Sequence, residues 1–194
     1  RFEFGLATGW MANEYDIMDV PYEERGSRLD EFLDIFTRAR ESGLLAHEGE
    51  HFSFEECGFY PIPETPERPP LWIGGKSGAA FRRVAEYGDG WTIVRDRPEQ
   101  VAEGRDRLLN AWADYDRSGT PEVAVSRPVH VGTDAPFGTD RILVGDCESI
   151  VEDLKDYREA GTTHFVVNFF TMDVDEQIAQ IERLGEEIIP HFEG

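Results

Sequence analysis

Cysteine and long apolar runs are scarce in this sequence. Cys57 and Cys147 are the two cysteines among 194 residues. So few cysteines exclude a disulfide-stabilised scaffold and favour a reducing compartment, which predicts a cytoplasmic protein. The sequence has no run of about 18 apolar residues, the length that a membrane-spanning helix needs, so we expect no membrane association.

Basic residues are also few in this sequence. The chain has 19 basic and 40 acidic residues, a net charge of −21, and its two lysines are Lys76 and Lys155. Nucleic acid is an unfavourable partner for such a chain, because phosphate contacts require clustered Lys and Arg. The composition resembles that of proteins from salt-loving archaea, in which concentrated salt screens the repulsion between acidic side chains. An ordinary acidic cytosolic protein is the alternative.

Apolar patterns typical of strands and helices alternate along the chain. A strand pattern stands at the first residues, with no initiator Met, which indicates a piece of a longer protein. Alternating strands and helices predict an α/β fold with a parallel sheet. Five strand–helix units fit the C-terminal five of the eight in a TIM (β/α)8 barrel, as one partial domain spanning residues 1–194. The predicted strands are 1–7, 70–74, 91–94, 122–131 with an interruption at Pro128, and 164–170.

Residues 43–69 form a longer connection than such units need, and we predict a β-hairpin insertion there with a turn near Cys57 and Gly58. Within it, HEGEH (47–51) formally matches the zinc-binding pattern H-E-x-x-H. That pattern binds zinc when both histidines share one helix face, and a glycine in its middle disfavours a helix. We therefore predict no metal site, with His47 and His51 as polar residues at the hairpin edge.

The stretch PLWIGGKSG (70–78) contains half of a nucleotide-hydrolase phosphate loop. The full pattern requires a glycine where Pro70 stands, so we reject that interpretation. The pattern instead predicts a strand that ends at Ile73 and a helix that begins near Ser77. Backbone N–H groups at a helix start favour an anion, which predicts a phosphate site. A tight strand-to-helix turn without a ligand is the alternative.

Three segments together resemble the luciferase-like monooxygenase superfamily of flavin and deazaflavin barrels. The first, GLATGWMANEYDIMDVPYEERGSRLDEFL (5–33), has a Gly-rich turn with a Trp, then V-P-Y-x-x-R-G and an acidic helix. The second (51–91) has a hairpin, a Pro-rich exit, P-L-W-I-G-G-x-S and a helix ending in G-D-G-W. The third (142–169) has a Gly before a helix and an A-G-x-x-H turn into the last strand.

The resemblance implies which residues bind a cofactor. Backbone amides after PLWIG would bind its phosphate end, and Thr8, at the end of the first strand, would hydrogen-bond its ring system. For Trp10 and Trp91 the alternative to a role in the site is a place in the core. The resemblance assigns no catalytic residue, and Glu14, His164 and Asn168 are candidates by position alone. The implied phosphate cradle consists of Gly74, Gly75, Lys76, Ser77 and Gly78.

The resemblance also implies an activity. We expect an oxidoreductase that uses coenzyme F-420 to transfer a hydride to a small organic substrate. We also expect the full-length protein to be a homo-oligomer, namely a dimer. The first alternative is a two-component monooxygenase that uses FMN. The second alternative, of another class, is a truncated barrel fragment without catalytic activity, since the resemblance places three further strand–helix units before residue 1.

Overall fold

The computed structural model describes residues 2–62, 69–115, 117–132, 142–169 and 171–192. The chain divides into two compact units. The first comprises Arg1–Trp91 and Asn110–Pro121, and the second comprises Thr92–Leu109 and Glu122–Gly194.

Within its described residues, the first unit contains a parallel strand pair, a hairpin and α-helices. Its strands β1 (Phe4–Leu6) and β4 (Leu71–Gly74) run parallel, with Phe4 opposite Leu71 and Leu6 opposite Ile73. The bounds in this unit are β1 Phe4–Leu6, α1 Ala12–Ile17, α2 Arg25–Ser42, β2 Leu44–Glu48, β3 Ser53–Gly58, β4 Leu71–Gly74 and α3 Gly78–Tyr87.

The division between the units falls within β5 (Gly90–Val94) and within α4 (Pro98–Ala113), and the elements after α4 belong to the second unit. In that unit β6 (Glu122–Val131) pairs in parallel with β7 (Leu143–Gly145) and with β8 (His164–Asn168). The parallel α/β class predicted from the sequence is therefore confirmed, whereas the identity of these elements as the last five of eight barrel units stays a prediction. The bounds are β5 Gly90–Val94, α4 Pro98–Ala113, β6 Glu122–Val131, β7 Leu143–Gly145, α5 Cys147–Glu159, β8 His164–Asn168 and α6 Val174–Arg183.

Two details of the second unit differ from the prediction. Pro128 does not interrupt β6, because it lies opposite Asn168, the last residue of β8, where the missing N–H costs the ladder little. The last helix carries Ile178, Ile181, Leu184 and Ile188 at helical spacing, which predicts that these side chains pack together, and the structure differs. Ile188 is buried, whereas Ile178 and Ile181 are about half exposed. The chain widens into a π-helical turn at Leu184–Ile188, which rotates the helical phase between these residues.

The insertion forms the predicted hairpin, with a different turn. β2 and β3 are antiparallel, with Glu48 opposite Ser53, so the chain reverses between them and not at Cys57 or Gly58, which lie within β3. Glu31 of α2 holds this turn, since its carboxylate accepts hydrogen bonds from the backbone N–H groups of His51 and Phe52 at 2.8 and 3.0 Å.

Both histidines of the HEGEH segment are engaged in this contact with α2. His47 Nε2 lies 2.8 Å from Glu31 Oε1, and His51 Nε2 lies 2.7 Å from Ser27 Oγ. Desolvation by itself would raise the pKa of Glu31, but the hydrogen bonds from His47 and from the backbone N–H groups of His51 and Phe52 keep it below its usual range. The histidines therefore join the hairpin to α2.

The negative charge predicts that salt stabilises the fold. The excess of 21 acidic side chains repels at low ionic strength, where the screening length is long. We expect the melting temperature to rise steeply between about 0.1 M and about 2 M potassium chloride, as the screening length falls to a few ångströms. The measurement is a thermal melting series, with sucrose as an uncharged control. A midpoint that responds equally to both solutes would contradict charge screening.

Candidate functional site

The sequence-predicted site residues of the first unit lie along one edge of its parallel strands. β1 and β4 end together, because Leu6 is opposite Ile73 in the last register pair. Thr8 and Gly75 each follow that pair by two residues. Parallel α/β folds place ligand sites at the carboxyl ends of their strands. The structure therefore brings Thr8 and the loop Gly74–Gly78, named the cradle below, to one edge of the unit.

The backbone of the cradle is shaped by a glycine and a helix cap. Gly75 has φ of +122°, and a Cβ there would lie 2.9 Å from the Cβ of Ala80, so a side chain is excluded. Ser77 is extended and caps α3, since its hydroxyl oxygen accepts a hydrogen bond from the N–H of Ala80 at 3.1 Å. The predicted strand–turn–helix geometry is thus confirmed.

The amino end of α3 can attract an anion. The N–H groups of Gly78 and Ala79 belong to the first turn of the helix, and the N–H groups of a first turn have no hydrogen-bond acceptor within the helix. Together with the helix dipole they give this end a partial positive charge. The cradle residues Gly75–Gly78 are exposed, and space is open around the Cα of Gly78. An incoming phosphate group therefore has access to these N–H groups.

Residues 89–91 hold β4 at both of its ends. Asp89 accepts a hydrogen bond from the N–H of Leu71 and donates its own N–H to the Leu71 carbonyl, both at 2.8 Å. The indole Nε1 of Trp91 donates to the Gly75 carbonyl at 2.7 Å. Gly90, between them, has no room for a side chain, because a Cβ would meet the Trp72 ring at 2.2 Å. The G-D-G-W segment therefore fixes the start of β4 and the Gly75 carbonyl of the cradle by hydrogen bonds.

Trp91 is fully buried and packs edge-on against Phe81, so of the two alternatives the place in the core holds for this side chain. Sequence reasoning missed its second role as the donor that fixes the Gly75 carbonyl.

An ion pair between a buried arginine and a partly exposed aspartate joins α3 to α2. Arg83 is 5% exposed, and its guanidinium donates to both carboxylate oxygens of Asp30 at 2.7 and 3.0 Å. It also donates to the carbonyl of Gly26 at 3.0 Å. Burial acts to raise the pKa of Asp30, but hydrogen bonds from Arg83 and Arg82 outweigh it and lower the pKa. The helix whose amino end forms the cradle is thus fixed in place by charge.

The loop between β1 and α1 is anchored by two tyrosines. The Tyr15 hydroxyl donates to the Thr8 carbonyl, and the Tyr22 hydroxyl donates to the Trp10 carbonyl at 3.2 Å. The tyrosine rings meet edge-on, and the Arg25 guanidinium lies 3.8 Å from the centre of the Tyr22 ring. The side chain of Trp10 is nevertheless 79% exposed, so the alternative of a place in the core does not hold for this residue.

The residues proposed for chemistry by position are spread over both units. Glu14 lies on α1 and is exposed. In the second unit, His164 begins β8 and its Nδ1 lies 3.0 Å from Thr163 Oγ1, which places it at the amino end of a strand and away from the edge where such sites lie. Asn168 ends β8 and its amide donates to Ser126 Oγ at 2.9 Å.

Within the described part of the chain, no group of three or more His, Cys, Asp and Glu side chains is arranged to hold a metal ion. None of the helices described is long and apolar enough to cross a membrane.

Comparison with known proteins places this geometry in context. The family model for luciferase-like monooxygenases matches residues 1–137. An uncharacterized protein of Mycobacterium tuberculosis, Rv0940c, is 29% identical over 204 residues, which cover 97% of this chain and 61% of that protein. The chain spans about three fifths of the length of the curated relatives it matches.

Two solved structures share the fold. An F420-dependent secondary alcohol dehydrogenase, solved with an F420–acetone adduct, has a TM-score of 0.82 at 15% identity and covers 99% of this chain and 70% of its own. The oxygenating constituent of 3,6-diketocamphane monooxygenase from Pseudomonas putida, solved with FMN, has a TM-score of 0.73 at 14% identity, covering 97% of this chain and 70% of its own.

Proposed function

Because the chain belongs to the luciferase-like monooxygenase family, we propose that its cradle binds the phosphate end of a flavin-type cofactor. The observation that carries this proposal is the left-handed Gly75 followed by the Ser77 cap at the amino end of α3. The cofactor we propose is coenzyme F-420, and the activity is hydride transfer to a small organic substrate. The whole protein would act as a homo-oligomer in the cytoplasm.

The residues present fit such a group. Gly75 lets the backbone turn without a side chain in the way, and the N–H groups of Gly78 and Ala79 can donate to phosphate oxygens. Lys76 adds a cationic side chain to an otherwise acidic protein. Thr8, at the same edge, supplies a hydroxyl for a polar atom of the ring system. The bound cofactor would supply the redox chemistry, and this chain would bind and orient it.

Both cofactor types occur on this fold. Coenzyme F-420 is favoured by the alcohol dehydrogenase neighbour and by a 23% identical F420-dependent glucose-6-phosphate dehydrogenase of Kribbella flavida. FMN is the second candidate, favoured by the diketocamphane monooxygenase neighbour. Oxygen consumption in the presence of reduced FMN would favour the monooxygenase alternative over the F-420 enzyme.

We expect the protein to bind coenzyme F-420 more tightly than FMN, and Ser77→Ala to weaken binding of both. Loss of the cap and of one hydroxyl donor should cost about 1 to 2 kcal/mol, or about 5- to 30-fold in affinity. Fluorescence titration with each cofactor provides the measurement. Ser77→Thr is the matched control, since it keeps the cap and the hydroxyl.

The outcomes of this titration separate the alternatives. Tighter binding of FMN would favour the FMN monooxygenase. Binding of neither cofactor would favour a fragment without catalytic activity. Equal affinities for the Ala and Thr variants would mean that the Ser77 hydroxyl does not contribute to cofactor binding.

A further inference from the structure

The segment that follows Thr8 carries several exposed apolar side chains. Trp10 is 79% exposed, whereas Trp72, Trp91 and Trp112 are 8%, 0% and 7% exposed. Beside Trp10 in sequence, Met11, Ile17 and Met18 are 37%, 83% and 72% exposed. We name these four residues, which lie at the two ends of α1, the α1 apolar surface. Single exposed apolar side chains are ordinary, whereas several of them on one short segment favour a role in binding.

The backbone that carries Trp10 is held firmly although its side chain is not covered. Gly9 has φ of +75°, and a Cβ there would lie 3.3 Å from the Tyr15 ring. The carbonyls on either side of Gly9 each accept a tyrosine hydroxyl, as described above. The indole therefore projects into solvent from a fixed base. A fixed aromatic face loses little conformational freedom when a ligand covers it, which favours binding.

Trp10 also lies within reach of a ligand held in the cradle. It is two residues beyond Thr8, so their Cα atoms are at most about 7 Å apart. Adjacent strands are about 5 Å apart, and Thr8 and Gly75 each stand two residues beyond the same register pair. A ring joined to its phosphate by a chain of several bonds spans a distance of this order.

We propose that the indole of Trp10 is the stacking surface for the ring of the ligand whose phosphate occupies the cradle. This inference rests on the proposed function and adds to it the residue that recognises the ring. A planar heteroaromatic ring fits an exposed indole because aromatic faces stack, and the site then combines an anion-binding end with an apolar end. The neighbouring Met11 gives the same surface a polarisable edge.

The exposure of the four tryptophans makes the test direct. Acrylamide quenches exposed tryptophan fluorescence, and Trp10 is the tryptophan that the structure leaves open to it. We expect saturating coenzyme F-420 or FMN to protect this accessible fraction. Inorganic phosphate should compete with either cofactor and leave the fraction accessible, since it fills the cradle alone.

Three variants test how much Trp10 contributes to the affinity for the cofactor. We expect Trp10→Ala to weaken cofactor binding about ten-fold and Trp10→Phe, which keeps a ring, to change it less than about three-fold. Val174→Ala removes an exposed apolar side chain from α6, outside the α1 apolar surface, and should have no effect. The affinity of inorganic phosphate, measured by that competition, should be unchanged in all three variants.

The results that overturn the inference are distinct from those that overturn the proposed function. If Trp10→Ala binds both cofactors as the wild type does, the stacking role is wrong and the cradle stands. If neither cofactor binds the wild type, both proposals fail. If Trp10 becomes protected with rising protein concentration and no ligand, the α1 apolar surface is a contact between protein chains and the stacking role is again wrong.

Discussion

Gly78→Glu should weaken binding of a phosphate-bearing cofactor about 10- to 100-fold and leave the fold as stable as before. The Cβ of residue 78 points into open space and its backbone is not left-handed, so a side chain is tolerated. A carboxylate in the first turn of α3 interacts favourably with the helix dipole. The same carboxylate repels a phosphate: two unit charges about 6 Å apart cost about 3 kcal/mol at an effective dielectric constant of 20, and exposure to solvent lowers that figure.

Gly78→Gln separates charge from bulk. It has the shape of the glutamate variant without its charge, so we expect it to bind the cofactor within about three-fold of the wild type. The measurements are cofactor titration and thermal melting of both variants. The repulsion should also weaken as salt is added, because the site is exposed. Equal losses in the two variants would mean that the side chain blocks the site sterically. No loss in either would place the phosphate elsewhere.

The parts of the site that are local in sequence could be predicted from it. A strand, two glycines, a serine and an apolar helical pattern follow one another within PLWIGGKSG and the residues after it. Local backbone preferences fix such a turn, since Gly75 can adopt a positive φ and Ser77 can cap the helix that follows. The parallel class of the sheet could also be predicted from the sequence, because strand and helix patterns alternate.

The parts that depend on distant contacts could not be predicted. Nothing near Trp91 in sequence indicates that its indole bonds the Gly75 carbonyl, 16 residues earlier. Whether Trp10 is exposed or buried stayed open for a similar reason. Burial is the commoner state of a tryptophan, and the short helix α1 and the tyrosine anchors that turn the indole outward have no periodic pattern. The hairpin turn was misplaced because Glu31, on another element, selects it.

Asp30→Asn should destabilise the protein by about 2 to 4 kcal/mol, because it leaves the charge of Arg83 buried without its counter-ion. The guanidinium is 5% exposed and would keep the Gly26 carbonyl and a neutral amide as acceptors. At about 2–4 °C for each kcal/mol, the melting temperature should fall by roughly 5 to 15 °C. The measurement is denaturant unfolding of the wild type and the variant at pH 7, in the same salt.

Asp34→Asn is the matched control, one turn further along α2. Its partner Arg38 is joined at 2.9 Å, but both side chains are more than 40% exposed, so the loss should stay below about 1 kcal/mol. Acid provides a second readout. The pKa of Asp30 is lower in the folded than in the unfolded protein, so its contribution is complete above the unfolded value of about 4 and is lost as pH falls through the folded value. The gap between wild type and Asp30→Asn should therefore be widest at neutral pH and close in acid. A gap that stays constant down to the folded-state pKa would mean that the variant acts by altered packing and not through the charge of Asp30.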